Sequence, residues 1–208
     1  MSKTETVVYK FGGSVLGDAS NVKKVAELIK NENSSEKRIV VVVSALRGRT
    51  DELLKMAQQV GDSTNSLRDL DSLLSMGERT SARLMCIALK SLGVDAVLID
   101  PESELWPIFT DDNYGNAAPN LELTEQCVKN LLVPLLEKGK VPVICGFLGK
   151  DQNGRITTLG RGGSDLTAVL IGKFLDTNSI ILVKDVSGVK SGDPKKVENA
   201  NTIKTLDT

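Results

Sequence analysis

The stretch RIVVVVSA at residues 38–45 contains an unbroken run of apolar, β-branched residues, 39–43, which is followed by a serine and an alanine. A strand with one solvent-facing side alternates apolar and polar residues, whereas a strand buried on both faces is apolar throughout. The run therefore predicts a central strand of a parallel sheet, with helices packed on both faces of that sheet.

Shorter apolar runs occur on both sides of this segment, and they alternate with stretches whose apolar residues recur at helical spacing. The predicted strands lie at residues 6–11, 38–45, 94–100, 140–147 and 179–186, and the predicted helices at residues 21–32, 67–92, 123–139 and 166–175. This order predicts an α/β fold, a three-layer αβα sandwich with a mostly parallel central sheet, in one domain over residues 1–208. In such sheets ligands bind beyond the carboxyl ends of the strands.

The amino-acid composition excludes several kinds of catalytic site and argues against some classes of partner. The chain has 26 Lys and Arg, 27 Asp and Glu, a formal net charge of −1 and no histidine. This balance gives no electrostatic case for nucleic acid or an anionic membrane surface as a partner. Without histidine there is no Ser-His-Asp triad and no HExxH zinc site. Phosphoryl transfer is compatible, because its catalysis depends mainly on positioning and charge neutralisation.

Three features predict a cytoplasmic location without a membrane span. The three cysteines are scattered, which is typical of a reducing compartment. The first residues, MSKTETVVYK, are polar and lack the apolar region of a signal peptide. No apolar run approaches the roughly 18 residues of a membrane helix.

The first predicted strand ends in KFGGS, residues 10–14. Lys10 supplies a positive charge, and Gly12 and Gly13 allow backbone N–H groups to approach a phosphate closely. A purely structural glycine turn is the alternative. The motif is not a Walker A loop, because GxxxxGK[ST] occurs nowhere in the chain.

Two further predicted strands end in polar loops. SALRGRTDEL, residues 44–53, offers the hydroxyl groups of Ser44 and Thr50, although Thr50 is also a candidate N-cap for the following helix. VKDVSGVKSGDPKK, residues 183–196, contains Asp185 in a polar, turn-rich loop suited to a ribose and a base.

Glu78 follows Gly77 inside the helical pattern of residues 67–92. A glycine within a helix costs about 1 kcal/mol relative to alanine, so we expect a compensating role for it. Two interpretations are open for Glu78. It is either a surface acid near a helix start or a carboxylate positioned to receive an ammonium group.

The motif LGRGGSD, residues 159–165, opens a predicted helix. Helix N-termini carry unpaired N–H groups and a partial positive charge, so they bind anions. Gly162 and Gly163 carry no side chain that would block such an anion. Arg161 adds a planar guanidinium suited to bidentate recognition of a carboxylate.

Asp165 is the unexpected member of this motif, because an acid would repel an anion at the same place. We therefore expect Asp165 to orient Lys10 or another cation. The structural alternative is that Ser164 or Asp165 serves as the helix cap.

The motifs KFGGS, SALRGRT, SMGERTSARL, TTLGRGGSDLTA and VKDVSGVKSGDPK occur in an order and spacing that resemble the aspartate kinases, within the amino acid kinase family. The resemblance covers nearly the whole chain. It implies phosphorylation of the side-chain carboxylate of L-aspartate by ATP and Mg²⁺ to 4-phospho-L-aspartate, the first step of lysine, threonine and methionine biosynthesis. It also implies a homo-oligomer.

The resemblance assigns roles to individual residues. It implies that Lys10 contacts the transferring phosphate, while Asp165 organises the lysines of the site. Glu78 would bind the ammonium group of the substrate and Arg161 its α-carboxylate. Further substrate-binding positions are Ser44, Thr50, Gly162, Gly163 and Ser164. Further nucleotide-binding positions are Gly12, Gly13, Lys184, Asp185, Lys190 and Lys195.

The sequence also departs from the family pattern. KFGGSVLGD is shorter than the usual KFGGTS motif, and Lys184, Lys190 and Lys195 replace a threonine, an aromatic residue and an arginine. The family's second phosphate-binding lysine and C-terminal ACT domains are missing, so we expect a C-terminally incomplete catalytic domain. Two alternatives are another amino acid kinase, acting on glutamate or a small phosphorylated substrate, and a non-catalytic fragment that binds nucleotide or aspartate.

Overall fold

A computed structural model describes residues 4–34, 36–177, 179–185, 188 and 201–202. The strands are β1 (Glu5–Phe11), β2 (Lys37–Val43), β3 (Ala96–Ile99), β4 (Val141–Cys145), β5 (Leu148–Lys150), β6 (Ile156–Thr158) and β7 (Ser179–Val183). The helices are α1 (Ala19–Glu32), α2 (Arg49–Val60), α3 (Leu67–Ser91), α4 (Leu121–Cys127), α5 (Val133–Glu137) and α6 (Gly163–Phe174).

The central sheet is five-stranded, in the order β3-β4-β2-β1-β7, and each neighbouring pair is parallel. The apolar run of residues 39–43 lies in β2 at the centre of this sheet, as predicted, although the strand ends at Val43 and not at residue 45. Five successive residues are buried in β2 and five in β4. Since side chains alternate between the two faces of a strand, this burial requires cover on both faces.

Helices provide that cover in two groups. α1 packs beside α3 and buries Val22, Val25, Ala26 and Ile29, the face that its sequence pattern predicted. α6 packs on β1 and β7 and contacts the helical segment that precedes β4. The αβα sandwich predicted from the sequence is confirmed. Within the described part of the chain, no helix has both the length and the apolarity needed to cross a membrane.

The predicted helix at residues 123–139 is interrupted by one π-helical turn, Val128–Leu132, which joins α4 to α5. Pro134 follows this turn and has no N–H to donate to the carbonyl of the preceding turn. The segment ends near Gly139, which has a positive φ of 71°.

A small antiparallel hairpin, β5–β6, follows β4 and leads into α6. The buried carboxylate of Asp71, on α3, anchors this hairpin through hydrogen bonds. Its Oδ2 accepts the N–H of Thr158 at 2.8 Å and the N–H of Gly115 at 3.0 Å, and its Oδ1 accepts the Thr158 hydroxyl at 2.8 Å. These bonds fix the segment that immediately precedes Arg161.

Candidate active site

A cavity of about 450 Å³ lies at the carboxyl edge of the sheet, between the ends of β1, β2 and β4 and the start of α6. It is placed where ligands bind in open parallel sheets. The predicted site residues that line it are Lys10, Gly13, Ser44, Thr50, Glu78, Arg161, Gly162, Gly163, Ser164 and Asp165.

Lys10, Asp165 and Lys184 form a charged cluster at one end of this cavity. Lys10 is only 6% exposed, and its Nζ lies 2.6 Å from Oδ1 of Asp165. Lys184, which follows β7, donates from Nζ to Oδ2 of the same carboxylate at 3.2 Å. Asp165 therefore pairs with two lysines, one from each of two neighbouring strands. The sequence predicted such a pairing, with Lys10 or another cation, for this residue.

Opposing effects act on the pKa of Asp165. Burial acts to raise it, but the hydrogen bonds and charges of Lys10 and Lys184 outweigh burial and hold the pKa below its usual value. The carboxylate therefore stays ionised. The cluster of two ammonium groups and one carboxylate has one net positive charge.

Glu78 lies within α3, and its side chain is buried, with 3% of the residue exposed. The interpretation of Glu78 as a surface acid near a helix start is therefore wrong. Its Oε1 accepts the backbone N–H of Ala45 at 3.1 Å. Its Oε2 is buried and has no hydrogen-bond partner within the described residues.

Gly77 explains how Glu78 reaches this position. A Cβ atom on Gly77 would lie 2.8 Å from the Cβ of Ala45, so the glycine lets α3 approach the loop after β2 closely. That contact compensates for the low helix propensity of glycine. It also brings the next residue, Glu78, to the lining of the cavity.

Burial raises the pKa of Glu78 to about 7, and the hydrogen bond from Ala45 only partly opposes this shift. A cationic group bound at Oε2 would satisfy the free oxygen and lower the pKa again. A buried oxygen without a partner is costly, so a hydrogen-bond donor at this position would be stabilising.

We expect the unliganded protein to lose stability as the pH rises from about 4.5, the ordinary Glu78 value, to about 7, its value in the folded protein. In this window the folded state binds more protons than the unfolded state, so the free energy of unfolding falls by up to about 3 kcal/mol. Urea unfolding at pH 5 and pH 8 measures the change. Since other carboxylates also titrate, the readout is the difference between the wild type and Glu78→Gln, which should be the more stable protein at pH 8. Equal pH dependences would contradict the assignment.

The entrance of α6 forms the opposite wall of the cavity. Gly162 is the N-cap of α6 and has a φ of 76°, a conformation that favours glycine. The alternative in which Ser164 or Asp165 caps the helix is therefore wrong. Packing also requires a small residue at Gly163, because a Cβ there would lie 2.8 Å from the ring of Phe147. Arg161 is exposed and lines the cavity beside the first-turn N–H groups.

The glycine turn after β1 has a partly structural role. The N–H of Gly12 donates to the carbonyl of Val183 at 3.4 Å, and Gly12 does not line the cavity. A Cβ on Gly13 would lie 2.8 Å from the carbonyl oxygen of Ala45. The prediction that both amides face a phosphate is therefore wrong for Gly12, because its N–H is already used to join β1 to β7.

The two predicted hydroxyl groups lie on the loop after β2 and at the start of α2. Ser44 is half-buried, and its N–H donates to the carbonyl of Phe11 at 3.1 Å. Thr50 lies in the first turn of α2, whose N-cap is Gly48 with a φ of 75°. The capping alternative for Thr50 is wrong, and its hydroxyl lines the cavity instead.

The predicted nucleotide-binding residues fall into two groups. Lys184 and Asp185 lie immediately beyond β7, next to the glycine turn, although neither belongs to the lining of the cavity. Lys190 and Lys195 lie outside the described residues.

Four polar or aromatic residues that the sequence reasoning missed also line the cavity: Ser14, Arg47, Asp51 and Phe147. Phe147 has a φ of 70°, which is unusual for a bulky residue. Its N–H donates to the hydroxyl of Thr167 at 3.1 Å, and its carbonyl accepts the N–H of Leu159 at 2.8 Å. Because Phe147 follows β4 closely, the strand-end rule would have identified it.

The chain is similar to proteins of known family and structure. The family model described as the amino acid kinase family matches residues 5–208. An aspartokinase of Rickettsia felis is 36% identical over 206 residues, covering 97% of this chain and 49% of that protein. An aspartokinase of Mycobacterium tuberculosis is 39% identical over 201 residues, covering 96% of this chain and 46% of that protein. The chain thus spans about half the length of these curated relatives.

Solved structures agree with the assignment of the fold. The crystal structure of E. coli aspartokinase III in complex with aspartate and ADP matches with a TM-score of 0.81 and 27% identity, covering 96% of this chain and 53% of that one. An isopentenyl phosphate kinase, at 21% identity and a TM-score of 0.70, shares the fold. The family match, the parallel sheet and the cavity at its carboxyl edge lead to one conclusion: the chain belongs to the amino acid kinase family.

Proposed function

We propose that the chain is the catalytic domain of an aspartate kinase, which transfers the terminal phosphoryl group of ATP to the side-chain carboxylate of L-aspartate. The product is 4-phospho-L-aspartate. The observation that carries the proposal is the buried Oε2 of Glu78, which lies in the same cavity as Lys10 and has no hydrogen-bond partner in the described part of the chain. Relatives named aspartokinase, and a similar structure determined with aspartate and ADP, support the choice of substrate.

The substrate side of the site suits a zwitterionic amino acid. Glu78 would receive the ammonium group, and Arg161 with the first turn of α6 would receive the α-carboxylate. Gly162, Gly163 and Ser164 form that turn, while Ser44 and Thr50 offer hydroxyl groups on the opposite side. An N-acetylated substrate has no ammonium group, so it would leave the Glu78 carboxylate desolvated and unpaired.

The phosphate side uses the cluster of Lys10, Asp165 and Lys184. Lys10 would neutralise charge on the transferring phosphoryl group, and Asp165 keeps both ammonium groups in place. No general base is needed, because the attacking side-chain carboxylate of aspartate is ionised near neutral pH. In-line attack then depends on positioning and on charge neutralisation by residues already present.

Mg²⁺ would accompany the nucleotide. The described residues contain no group of three or more His, Cys, Asp or Glu side chains placed to hold a metal ion. This donor set fits Mg²⁺ held mainly by phosphate oxygens, with the single carboxylate of Asp51 in the lining of the cavity. When bound, Mg²⁺ supplies further charge neutralisation on the phosphates. Lys184, Asp185, Lys190 and Lys195 stay predictions for the nucleotide side, as do a cytoplasmic location and a homo-oligomeric assembly.

The direct test is a kinase assay on this chain with aspartate, glutamate and N-acetylglutamate as parallel acceptors. We expect phosphorylation of aspartate, detected as the hydroxamate of the acyl phosphate and as ADP release. Turnover of N-acetylglutamate alone would refute the role of Glu78. Binding of ATP and aspartate in calorimetry without any turnover would favour the non-catalytic alternative.

Arg161→Lys should raise KM for aspartate by about 10- to 100-fold and change kcat by only a few-fold. Lysine keeps the charge but lacks the planar pair of N–H donors that matches a carboxylate. Steady-state kinetics at saturating ATP measures the effect. Arg155→Lys, an exposed change in the turn of the hairpin, is the matched control and should leave KM unaltered. An unchanged KM in Arg161→Lys would remove Arg161 from the substrate site.

A further inference from the structure

Arg47 lies on the loop between β2 and α2 and lines the same cavity as Lys10 and Arg161. Its Nη2 donates to the carbonyl oxygen of Ser14 at 2.7 Å. Ser14 belongs to the glycine turn after β1, and β1 is the neighbour of β2 in the sheet. The side chain of Arg47 therefore extends from the loop after β2 to the glycine turn after β1, the strand that contains Lys10.

On the far side of this turn, Arg47 meets a carboxylate. Its Nη2 lies 3.8 Å from Oδ2 of Asp185, which follows β7, the other neighbour of β1. The side chains of Arg47 and Asp185 are 62% and 56% exposed. An exposed ion pair at this separation contributes little to stability, so another anion can replace Asp185 at small cost.

Arg47 is available to bind an anion of the nucleotide. Lys10 and Lys184 share the single carboxylate of Asp165. A nucleoside triphosphate carries several negative charges, and its transfer chemistry depends on cations placed around the phosphates. A guanidinium has five N–H donors in a planar arrangement that matches phosphate oxygens. Within the described residues, Arg47 uses only Nη2, for Ser14 and Asp185.

The backbone of Arg47 is also held against the glycine turn. A Cβ on Gly13 would lie 3.8 Å from both the Cα and the N of Arg47, so the two loops are in close contact. The bond to Ser14 then orients the guanidinium across the turn. Such a pre-positioned cation needs little reorganisation to bind an anion above the turn.

We propose that Arg47 binds the terminal phosphates of the nucleotide, keeping its bond to the Ser14 carbonyl and exchanging Asp185 for a phosphate oxygen. This inference rests on the proposed function, because it requires a nucleoside triphosphate in the cavity. It adds a phosphate-binding residue from the SALRGRT motif, whose hydroxyl groups are assigned to the substrate side.

Calorimetry measures the binding of Mg·ATP and of AMP to four proteins: the wild type, Arg47→Ala, Arg47→Lys and Arg49→Ala. Arg47→Ala should weaken Mg·ATP binding by about 10- to 100-fold and change AMP binding by less than about twofold, because AMP lacks the terminal phosphates. Arg47→Lys should recover part of the loss, since it keeps the charge without the planar donors. Arg49→Ala is the matched control: Arg49 lies on the same segment, pairs with Glu52 at 2.7 Å and does not line the cavity.

Two results would overturn the inference. The first is unchanged ATP affinity in Arg47→Ala, and a raised KM for aspartate beside it would place Arg47 on the substrate side. The second is an equal loss of ATP and AMP binding with a lower thermal midpoint, which would indicate a purely structural link between loops. If Arg47→Ala does not fold, the ratio of ATP to AMP affinity in Arg47→Lys decides the question. A wild-type chain that binds neither nucleotide would instead refute the proposed function itself.

Discussion

Lys10→Ala should lower kcat for aspartate phosphorylation by about 10³-fold or more, which corresponds to about 4 kcal/mol of transition-state stabilisation. Lys10 is buried at the carboxyl end of β1 and paired with Asp165 at 2.6 Å, so its ammonium group is fixed before the substrates bind. In the proposed reaction it neutralises charge that grows on the phosphoryl group. Removing it leaves that charge to Lys184 and the remaining cations.

The structure indicates that this variant will fold. Asp165 is half-buried and keeps the hydrogen bond from Lys184 to its Oδ2 at 3.2 Å, so its carboxylate retains one cation when Lys10 is removed. Thermal unfolding of Lys10→Ala should therefore resemble that of the wild type more closely than its kinetics do. Lys55→Ala, at an exposed position on α2, is the matched control and should retain full activity. A loss of less than about tenfold in Lys10→Ala would place Lys10 outside the reaction.

Glu78→Gln should lower kcat/KM for aspartate by about 10²- to 10³-fold, mainly through KM, while KM for ATP stays within a few-fold. The amide has nearly the same volume as the carboxylate, but it replaces a charge-assisted bond to the substrate ammonium with a neutral one. Initial rates over a range of aspartate concentrations measure the effect. Glu27→Gln, at an exposed position on α1, is the control for loss of one negative charge.

This variant separates a functional role from a structural one. In the unliganded protein at pH 8, one oxygen of the buried Glu78 carboxylate has no partner among the residues that the structure describes, so its replacement by an amide should stabilise the fold. A structural glutamate would show the opposite, a less stable protein with nearly normal aspartate kinetics. Greater stability combined with weaker aspartate binding is the result that supports the substrate role.

Part of this molecule could be predicted from the chain alone. The continuous apolar run of β2 and the helical spacing in α1 indicated a parallel sheet between helices, because burial on two faces selects apolar residues at every strand position. The strand-end rule then located Lys10, while the helix-opening motif LGRGGSD indicated Arg161 and the glycine within a helical pattern drew attention to Glu78. Motifs that are short and local in sequence carried this information.

Other features depend on contacts between distant segments. Whether Glu78 is exposed or buried depends on the approach of α3 to Ala45 through Gly77, and no local pattern encodes that distance. Capping roles for Thr50 and Ser164 were plausible locally, but Gly48 and Gly162 take the cap positions through their positive φ angles.

The sequence by itself determined the fold class, the order of the elements and the residue types available for chemistry, because these follow from periodicity and composition. Only the tertiary structure decided which charges meet. Lys184 joins Lys10 on Asp165, and Arg47 reaches Ser14 and Asp185, because β7 and β2 flank β1 in the sheet although they are far apart in the chain. Side-chain charges interact through space, and strand order sets the distances between them.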